Sequence, residues 1–383
     1  MKPSPYRIPF NKPHLTGHEL TYIRDAHKRR QLAGDGFYTK KCREWMEKEF
    51  GCEMSLLTHS CTAAIEMMAI LSDIEPGDEV IIPDYTFVTT ANAFVLRRGV
   101  PVFVDIRPDT LNLNEERIEA AITPKTKAIV PVHYAGVGCE MDAIRAIAKK
   151  HNLLVLEDSA QGVQAKYKGQ FLGTLGDLAA FSFHETKNVI SGEGGALFIN
   201  NPKFIERAQI IREKGTNRTK FFEGKIDKYT WVDIGSSYLP GEITAAFLYA
   251  QLEKATLINK KRMAIWNTYH KSLNDLEKKE RIRRPIIPAH TEHNAHMYYI
   301  LTKDKEERKG ILEFLKTRGI LAVTHYVPLH SSPGGRRFGR HAGDMSVSRD
   351  TEDRLIRLPL FYDLKTTEQD DIIEAIHDFY MHT

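Results

Sequence analysis

Between residues 55 and 200, short apolar runs alternate with helical patterns of ten or more residues. "SLLTH" is followed by "CTAAIEMMAILSD", and "DEVIIPDYTF" by "TTANAFVLRRG". "PVFVDI" comes next, then "KAIVPVHYAG" and "MDAIRAIAKKHN", and the series closes on "LLVLEDSA", "LAAFSF" and "GALFIN". These runs are continuous in Val, Ile, Leu and Phe, the pattern of strands covered on both faces. They predict a mostly parallel sheet between helices, and such sheets bind ligands beyond the carboxyl ends of their strands. After residue 241 the pattern changes. Residues 242–276 predict one long helix, apolar at Ile243, Ala246, Phe247, Ala250 and Leu252 and then increasingly basic. "MYYILT" and "VTHYVPLH" predict strands, while "KEERKGILEFLKTRG" and "TEQDDIIEAIHDFYMHT" predict helices. The fold class is therefore α/β, with a large domain over residues 1–255 and a smaller α+β domain over 256–383. The N-terminal segment is free to pack with the smaller one.

Composition narrows the function classes. The chain has 383 residues, enough for two domains and a large core, and a formal net charge of +4. That weak bias suits an anionic small molecule and does not argue for nucleic acid. No apolar run reaches the roughly 18 residues of a membrane span. "MKPSPYRIPFNKPHLTG" lacks the apolar core of a signal peptide, so a cytoplasmic location is expected. Cys42, Cys52, Cys61 and Cys139 form no C-x-x-C pair and are expected to be reduced thiols.

Three features carry candidate chemistry. In "THSCTAAIE", small polar residues precede a helix, so the amides of Thr62 and Ala63 could hold a phosphate with the helix dipole behind them. A plain Ser/Thr cap fits the same residues. In "LLVLEDSAQG", an apolar strand ends at Asp158, with Gln161 three residues on. Asp158 either caps a following helix or holds a proton on a heteroaromatic nitrogen. In "FSFHETKNVISGEGGAL", Lys187 lies between an apolar strand and a glycine-rich turn, where burial would favour the neutral, nucleophilic amine. A surface lysine is the alternative. Phosphate cradle, carboxylate and lysine are together the groups that hold pyridoxal 5'-phosphate (PLP). Competing motifs fail: "SGEGGAL" is not a dinucleotide fingerprint, and "HNAH" at 293–296 has no third ligand motif, so no metal is expected.

The motifs "PGDEVI", "EDSAQ" and "FSF…K…GEGG", in this order and spacing, resemble the DegT/DnrJ/StrS family of PLP-dependent nucleotide-sugar aminotransferases. The similarity runs through "GDGFYTKKCREWMEKEFG", "SCTAAIE", "PVFVDI", "AAFLYAQLE" and "HYVPLH", nearly the whole chain. It implies an aspartate-aminotransferase-like (type I) fold. It implies that Lys187 is the Schiff-base lysine, that Asp158 pairs with the pyridinium nitrogen and that Gln161 contacts the ring hydroxyl. Thr62, Ala63 and Ser182 would hold the phosphate and Phe87 would stack on the ring, with His330 and Tyr326 near the sugar. Many members read "GYNYRM" where this chain has "GSSYLP" at 235–240. There Ser237 stands in place of an asparagine that reaches the neighbouring subunit's phosphate. This departure, with "HETKN" and "REKGTNR", is most similar to the branch that converts dTDP-4-keto-6-deoxyglucose to dTDP-4-amino-4,6-dideoxygalactose, with glutamate as donor, for surface polysaccharides such as O-antigen. The resemblance also implies a homodimer with shared sites, or a tetramer containing it. The loop carrying Arg218, Lys225 and Lys228 suits a diphosphate, and it equally suits a solvated charged loop.

Overall fold

A computed structural model describes residues 6–381. The first five residues of the N-terminal segment and the last two of the predicted terminal helix lie outside it. The sheet strands are β1 (Met54–Thr58), β2 (Glu79–Pro83), β3 (Val100–Val104), β4 (Thr126–Ile129), β5 (Leu154–Asp158), β6 (Leu178–Ser182) and β7 (Gly195–Ile199). A smaller antiparallel pair joins β8 (Tyr298–Leu301) to β10 (Leu355–Leu358), and the short β9 (Arg340–His341) extends the large sheet at its β3 edge. The order in the large sheet is β1-β7-β6-β5-β4-β2-β3-β9. Only β7 runs against the rest, because it is antiparallel to both β1 and β6 while every other pairing is parallel. The continuous apolar runs thus lie between helices, as expected. Leu56, Val80 and Leu197 face the helix Cys61–Leu71, while Ile81, Val102 and Ile129 face Met141–His151.

A separate apolar core forms from residues between 265 and 380, including Trp266, Ile300, Leu315 and Ile372, and Ile8 is buried within it. Ile8 also bridges to Ile320, which ties the N-terminal segment to this second core. Two expectations need correction. The long helix over 242–276 is broken into Glu242–Leu252, Ala255–Ser272 and the start of a short helix Asn274–Lys278, the first break falling at Glu253 and Lys254 without proline or glycine. The first packs on the large-sheet side and the second reaches the other core, while Ile243 is half exposed. "VTHYVPLH" is not a strand. Val323 makes an isolated bridge to Arg357, and Pro328, which has no N–H for a ladder, leads into a short 3-10 turn at Leu329–Ser331.

Glu242 shows how the fold uses a buried charge. Its carboxylate accepts from the amides of Gly36 (3.0 Å), Tyr38 (2.7 Å) and Thr39 (3.0 Å) and from the Thr39 hydroxyl. It thereby fixes the first turn of the helix Phe37–Phe50, whose leading amides have no acceptor inside the helix. Replacing Glu242 by alanine leaves these donors unpaired in a dry site. The expected loss is about 3–5 kcal/mol of stability, measured by urea unfolding.

Candidate active site

All seven co-directed strands of the large sheet end on one side, and the cleft opens there. It has a volume of 560 Å³. Thr58 ends β1 and leads through Ser60 to the helix Cys61–Leu71, Asp158 ends β5, and Ser182 ends β6. Lys187 follows β6 in the turn before β7, so the separated motifs converge because their strands are neighbours.

Asp158 is buried at the cleft floor. Thr90 donates its hydroxyl to Asp158 Oδ2 (2.8 Å), and the Ala160 amide donates to Oδ1 (3.1 Å). No helix begins after Asp158, so the capping alternative falls away. Burial raises its pKa, against those two hydrogen bonds and the nearby charges of Lys187 and His133. Because Thr90 spends its proton on the carboxylate, its 3.0 Å contact with Thr86 requires Thr86 to donate. The two threonines therefore fix the plane of the carboxyl group. Lys187 is half-buried in the cleft wall, and among the described residues no side chain hydrogen-bonds or ion-pairs with its amine. Burial lowers its pKa, opposed by Cys61 and Asp158.

Gln161 is locked on both sides. Its Oε1 accepts from the Ala135 amide (2.7 Å) and its Nε2 donates to the Tyr326 hydroxyl (3.1 Å). Thr62, Ser182, Phe87 and Tyr326 also line the cleft. Phe87 is 57% exposed at the rim, which leaves one ring face open to a ligand. Ala63 differs from expectation. It is buried, and its amide donates to Ser60 Oγ (3.1 Å), so Ser60 is the helix cap. The amides left without an acceptor inside the helix are those of Cys61 and Thr62.

Other sequence-predicted residues lie elsewhere. His330 is not in the cleft wall; its Nδ1 bonds Asp84 Oδ2 (2.6 Å), and Ser348 donates to the same carboxylate. Arg218 opens the short helix Arg218–Phe222 and lies against Glu213 (3.4 Å), outside the cleft wall, and Lys228 is exposed. Ser237 is exposed and bridges Glu213, also outside the wall. Gly235, two residues earlier, packs within its own chain, because a Cβ there would lie 2.2 Å from the Gly215 amide nitrogen. Conversely, the cleft includes Thr86, Thr90, His325 and Arg357, to which the sequence reading gives no role, and His296, which it raises only as half of a rejected metal pair. His325 stacks on Tyr326 with ring centroids 3.6 Å apart, and burial drives its pKa well down, so it is neutral.

The residues present fit PLP. A helix N-terminus offers free amides for a phosphate, a lysine amine has no acid partner, and a buried carboxyl has no basic side chain bonded to it. Comparison with known proteins gives the same answer. The DegT/DnrJ/EryC1/StrS aminotransferase family model matches residues 13–377. The chain is 36% identical to the uncharacterized protein MJ1066 of Methanocaldococcus jannaschii, covering 88% of this chain and 89% of that one. It is 33% identical to the spore coat polysaccharide biosynthesis protein SpsC of Bacillus subtilis, covering 87% and 88%. Among solved structures it is similar to the putative sugar aminotransferase Spr1654 of Streptococcus pneumoniae, known in PLP and PMP forms. In the PMP form the TM-score is 0.90 at 26% identity, covering 98% of each chain. The chain thus has the type I fold and belongs to the DegT/DnrJ/EryC1/StrS family of PLP-dependent aminotransferases.

Proposed function

We propose that this aminotransferase moves an amino group from glutamate to a nucleotide-linked keto sugar. Lys187 and Asp158 facing one cleft, each without an oppositely charged side chain bonded to it, is the observation that carries the reading. The sugar acceptor is supported by SpsC and Spr1654, whose names place them in polysaccharide and sugar chemistry. The finer substrate, dTDP-4-keto-6-deoxyglucose with a galacto product, rests on the resemblance at residues 235–240 and around "REKGTNR".

When bound, PLP supplies an electron sink for the charge that develops at the carbon losing its proton. The chain's own residues do the rest. The Cys61 and Thr62 amides bind the phosphate, and Asp158, oriented by Thr90, holds a proton on the ring nitrogen. Gln161 takes the ring hydroxyl. Lys187 Nζ would hold the cofactor covalently and, as a free amine, would take up and return the proton at the donor's α-carbon. His325 and Tyr326 pack over the same space and narrow the access of water. Purified protein should be yellow and should bleach on adding glutamate. Incubation with several nucleotide keto sugars, followed by NMR of the product, assigns the sugar, the base and the configuration of the new amine. A colourless protein unable to take up PLP would overturn the reading.

The proposal includes a homodimer, or a tetramer built on it, in which Ser237 contacts the phosphate in the neighbouring site. Its support is the resemblance at 235–240 together with the exposure of Ser237 and of the loop aromatics Phe222, Tyr229 and Trp231. Ser237→Ala should weaken PLP retention by about 0.5–1.5 kcal/mol, one hydrogen bond's worth, measured by equilibrium dialysis. Mixing Lys187→Ala subunits with subunits crippled across 235–241 should restore activity, since each hybrid carries one undamaged site. No restoration despite demonstrated subunit exchange would mean that the segment serves its own chain.

A further inference from the structure

The two histidines of "HNAH" go separate ways. His293 packs on Trp266 of the C-terminal core, with ring centroids 4.4 Å apart. His296, two residues before β8, is buried and lines the cleft.

The hydrogen-bond network fixes which nitrogen of His296 carries the proton. Asn188, the residue after Lys187, donates from Nδ2 to the Asn294 carbonyl (2.8 Å) and to Asn259 Oδ1 (2.8 Å). Asn259 donates in turn to the Val163 carbonyl (3.2 Å) and to Gln164 Oε1 (3.1 Å), so its own oxygen is an acceptor. Backbone carbonyls only accept, so both amide orientations are set. Asn188 has then spent both N–H groups, and only its Oδ1 is left to face His296 Nδ1 at 3.2 Å. The proton in that contact must come from Nδ1. Burial pushes the His296 pKa well down, helped by the positive charges of Lys187, Arg262 and Arg357. His325, the remaining titratable neighbour, is itself neutral. The ring of His296 is therefore neutral, and its Nε2 is a bare lone pair that no described residue bonds.

Such a lone pair needs an N–H or O–H and repels carboxylate and phosphate. Lys187 is the donor at hand. Its charge acts on the ring more strongly than that of Arg262, although Arg262 bonds the His296 carbonyl at 2.7 Å. Asn188 anchors the ring one residue from Lys187, whose flexible stem lets the amine swing. The other groups acting on the amine are poorer partners. Both Asp158 oxygens already accept hydrogen bonds, burial keeps the Cys61 thiol protonated, and Arg357 repels a cation.

We propose that His296 Nε2 accepts a hydrogen bond from the Lys187 amine whenever that amine is free, holding it in one place beside the reacting carbon. His296 is thus a positioning residue, and the proton stays with Lys187. The inference rests on the reading of Lys187 as the amine that holds the cofactor.

Two substitutions separate the acceptor from the scaffold. His296→Asn keeps an N–H for Asn188 and removes the lone pair. His296→Gln brings an amide oxygen near the position of Nε2 and gives up the Asn188 contact. In protein loaded with pyridoxamine phosphate, the pH dependence of Lys187 acetylation by acetic anhydride, mapped by mass spectrometry, reports protonation of the amine. In His296→Asn the midpoint should fall by about one pH unit, because the ammonium loses its acceptor. In His296→Gln it should stay within about 0.3 unit of the parent. Exchange of the glutamate α-proton in deuterium oxide by PLP-loaded protein should slow about tenfold in His296→Asn and recover to within about threefold in His296→Gln. Half-saturating glutamate should move less than about twofold in either.

An unchanged midpoint in His296→Asn overturns the assignment. So does a rising midpoint, because water entering a loosened cleft relieves the burial of the amine. A larger defect in His296→Gln than in His296→Asn would make His296 a prop for Asn188 and nothing more. A loss confined to the keto-sugar half-reaction also overturns the proposal and gives Nε2 to a sugar hydroxyl. If the variants do not fold, histidine-selective 15N NMR of the parent and of Lys187→Ala carries the test. The expected result is a bare Nε2 whose signal shifts when the lysine is removed; an Nε2–H tautomer or an unmoved signal refutes the proposal. A parent protein in which borohydride fixes PLP to a residue other than Lys187 overturns the reading of Lys187 itself, a result distinct from a failure at His296.

Discussion

Lys187→Ala is expected to abolish turnover while leaving the fold intact. The amine makes no hydrogen bond that holds the structure, so removing it costs the cleft little. It does remove both the covalent anchor and the group that carries the proton at the reacting carbon. Among the described residues that line the cleft, Lys187 is the one lysine. The variant should still bind pyridoxamine phosphate, because the Cys61 and Thr62 amides, Asp158 and Gln161 are untouched. Steady-state turnover and a calorimetric titration with pyridoxamine phosphate check the two halves. Multiple turnovers at more than a trace of the parent rate would sink the assignment of Lys187.

Asp158→Asn should lower the rate far more than it lowers cofactor occupancy. The structure gives the reason. One carboxylate oxygen takes the Thr90 hydroxyl and the other takes the Ala160 amide, and the whole group carries the charge that stabilises a protonated ring nitrogen. An amide has one oxygen for these donors and turns an N–H toward the ring. Loss of such a charge-assisted contact is worth about 1.5–3 kcal/mol, or roughly one to two decades in rate if it acts in the transition state. Turnover numbers normalised to bound cofactor measure it. An unchanged value would reduce Asp158 to a residue that merely orders the turn at Ala160.

Much of this site was legible along the chain because its residues sit at strand ends. A buried strand that stops on Asp158, or on Ser182 shortly before Lys187, announces the edge of a parallel sheet, and all such edges fall on one side. Side-chain competition was less legible. Ala63 and Thr62 look alike in "SCTAAIE", yet Ser60 turns back and occupies the Ala63 amide. His330 looks like a cleft residue in "HYVPLH", but Pro328 turns the chain and Asp84 captures its ring, while His325 and Tyr326 reach the cleft. Arg357 gave no motif at all. "LIRL" reads as a strand with one polar position, and only the packing of β10 beside the cleft gives that position a meaning. Thr90 was hidden similarly, since a threonine near a helix start suggests a local cap rather than a contact with a residue 68 positions away.

The central claim is that Lys187 is the residue through which this cleft holds PLP. Borohydride reduction of the PLP-loaded protein, followed by proteolysis and mass mapping, tests it most directly. The account predicts one pyridoxyl-modified peptide, the one containing Lys187, and loss of that modification when glutamate is added before reduction. Modification at a different lysine, or none in protein that has taken up the cofactor, would contradict it.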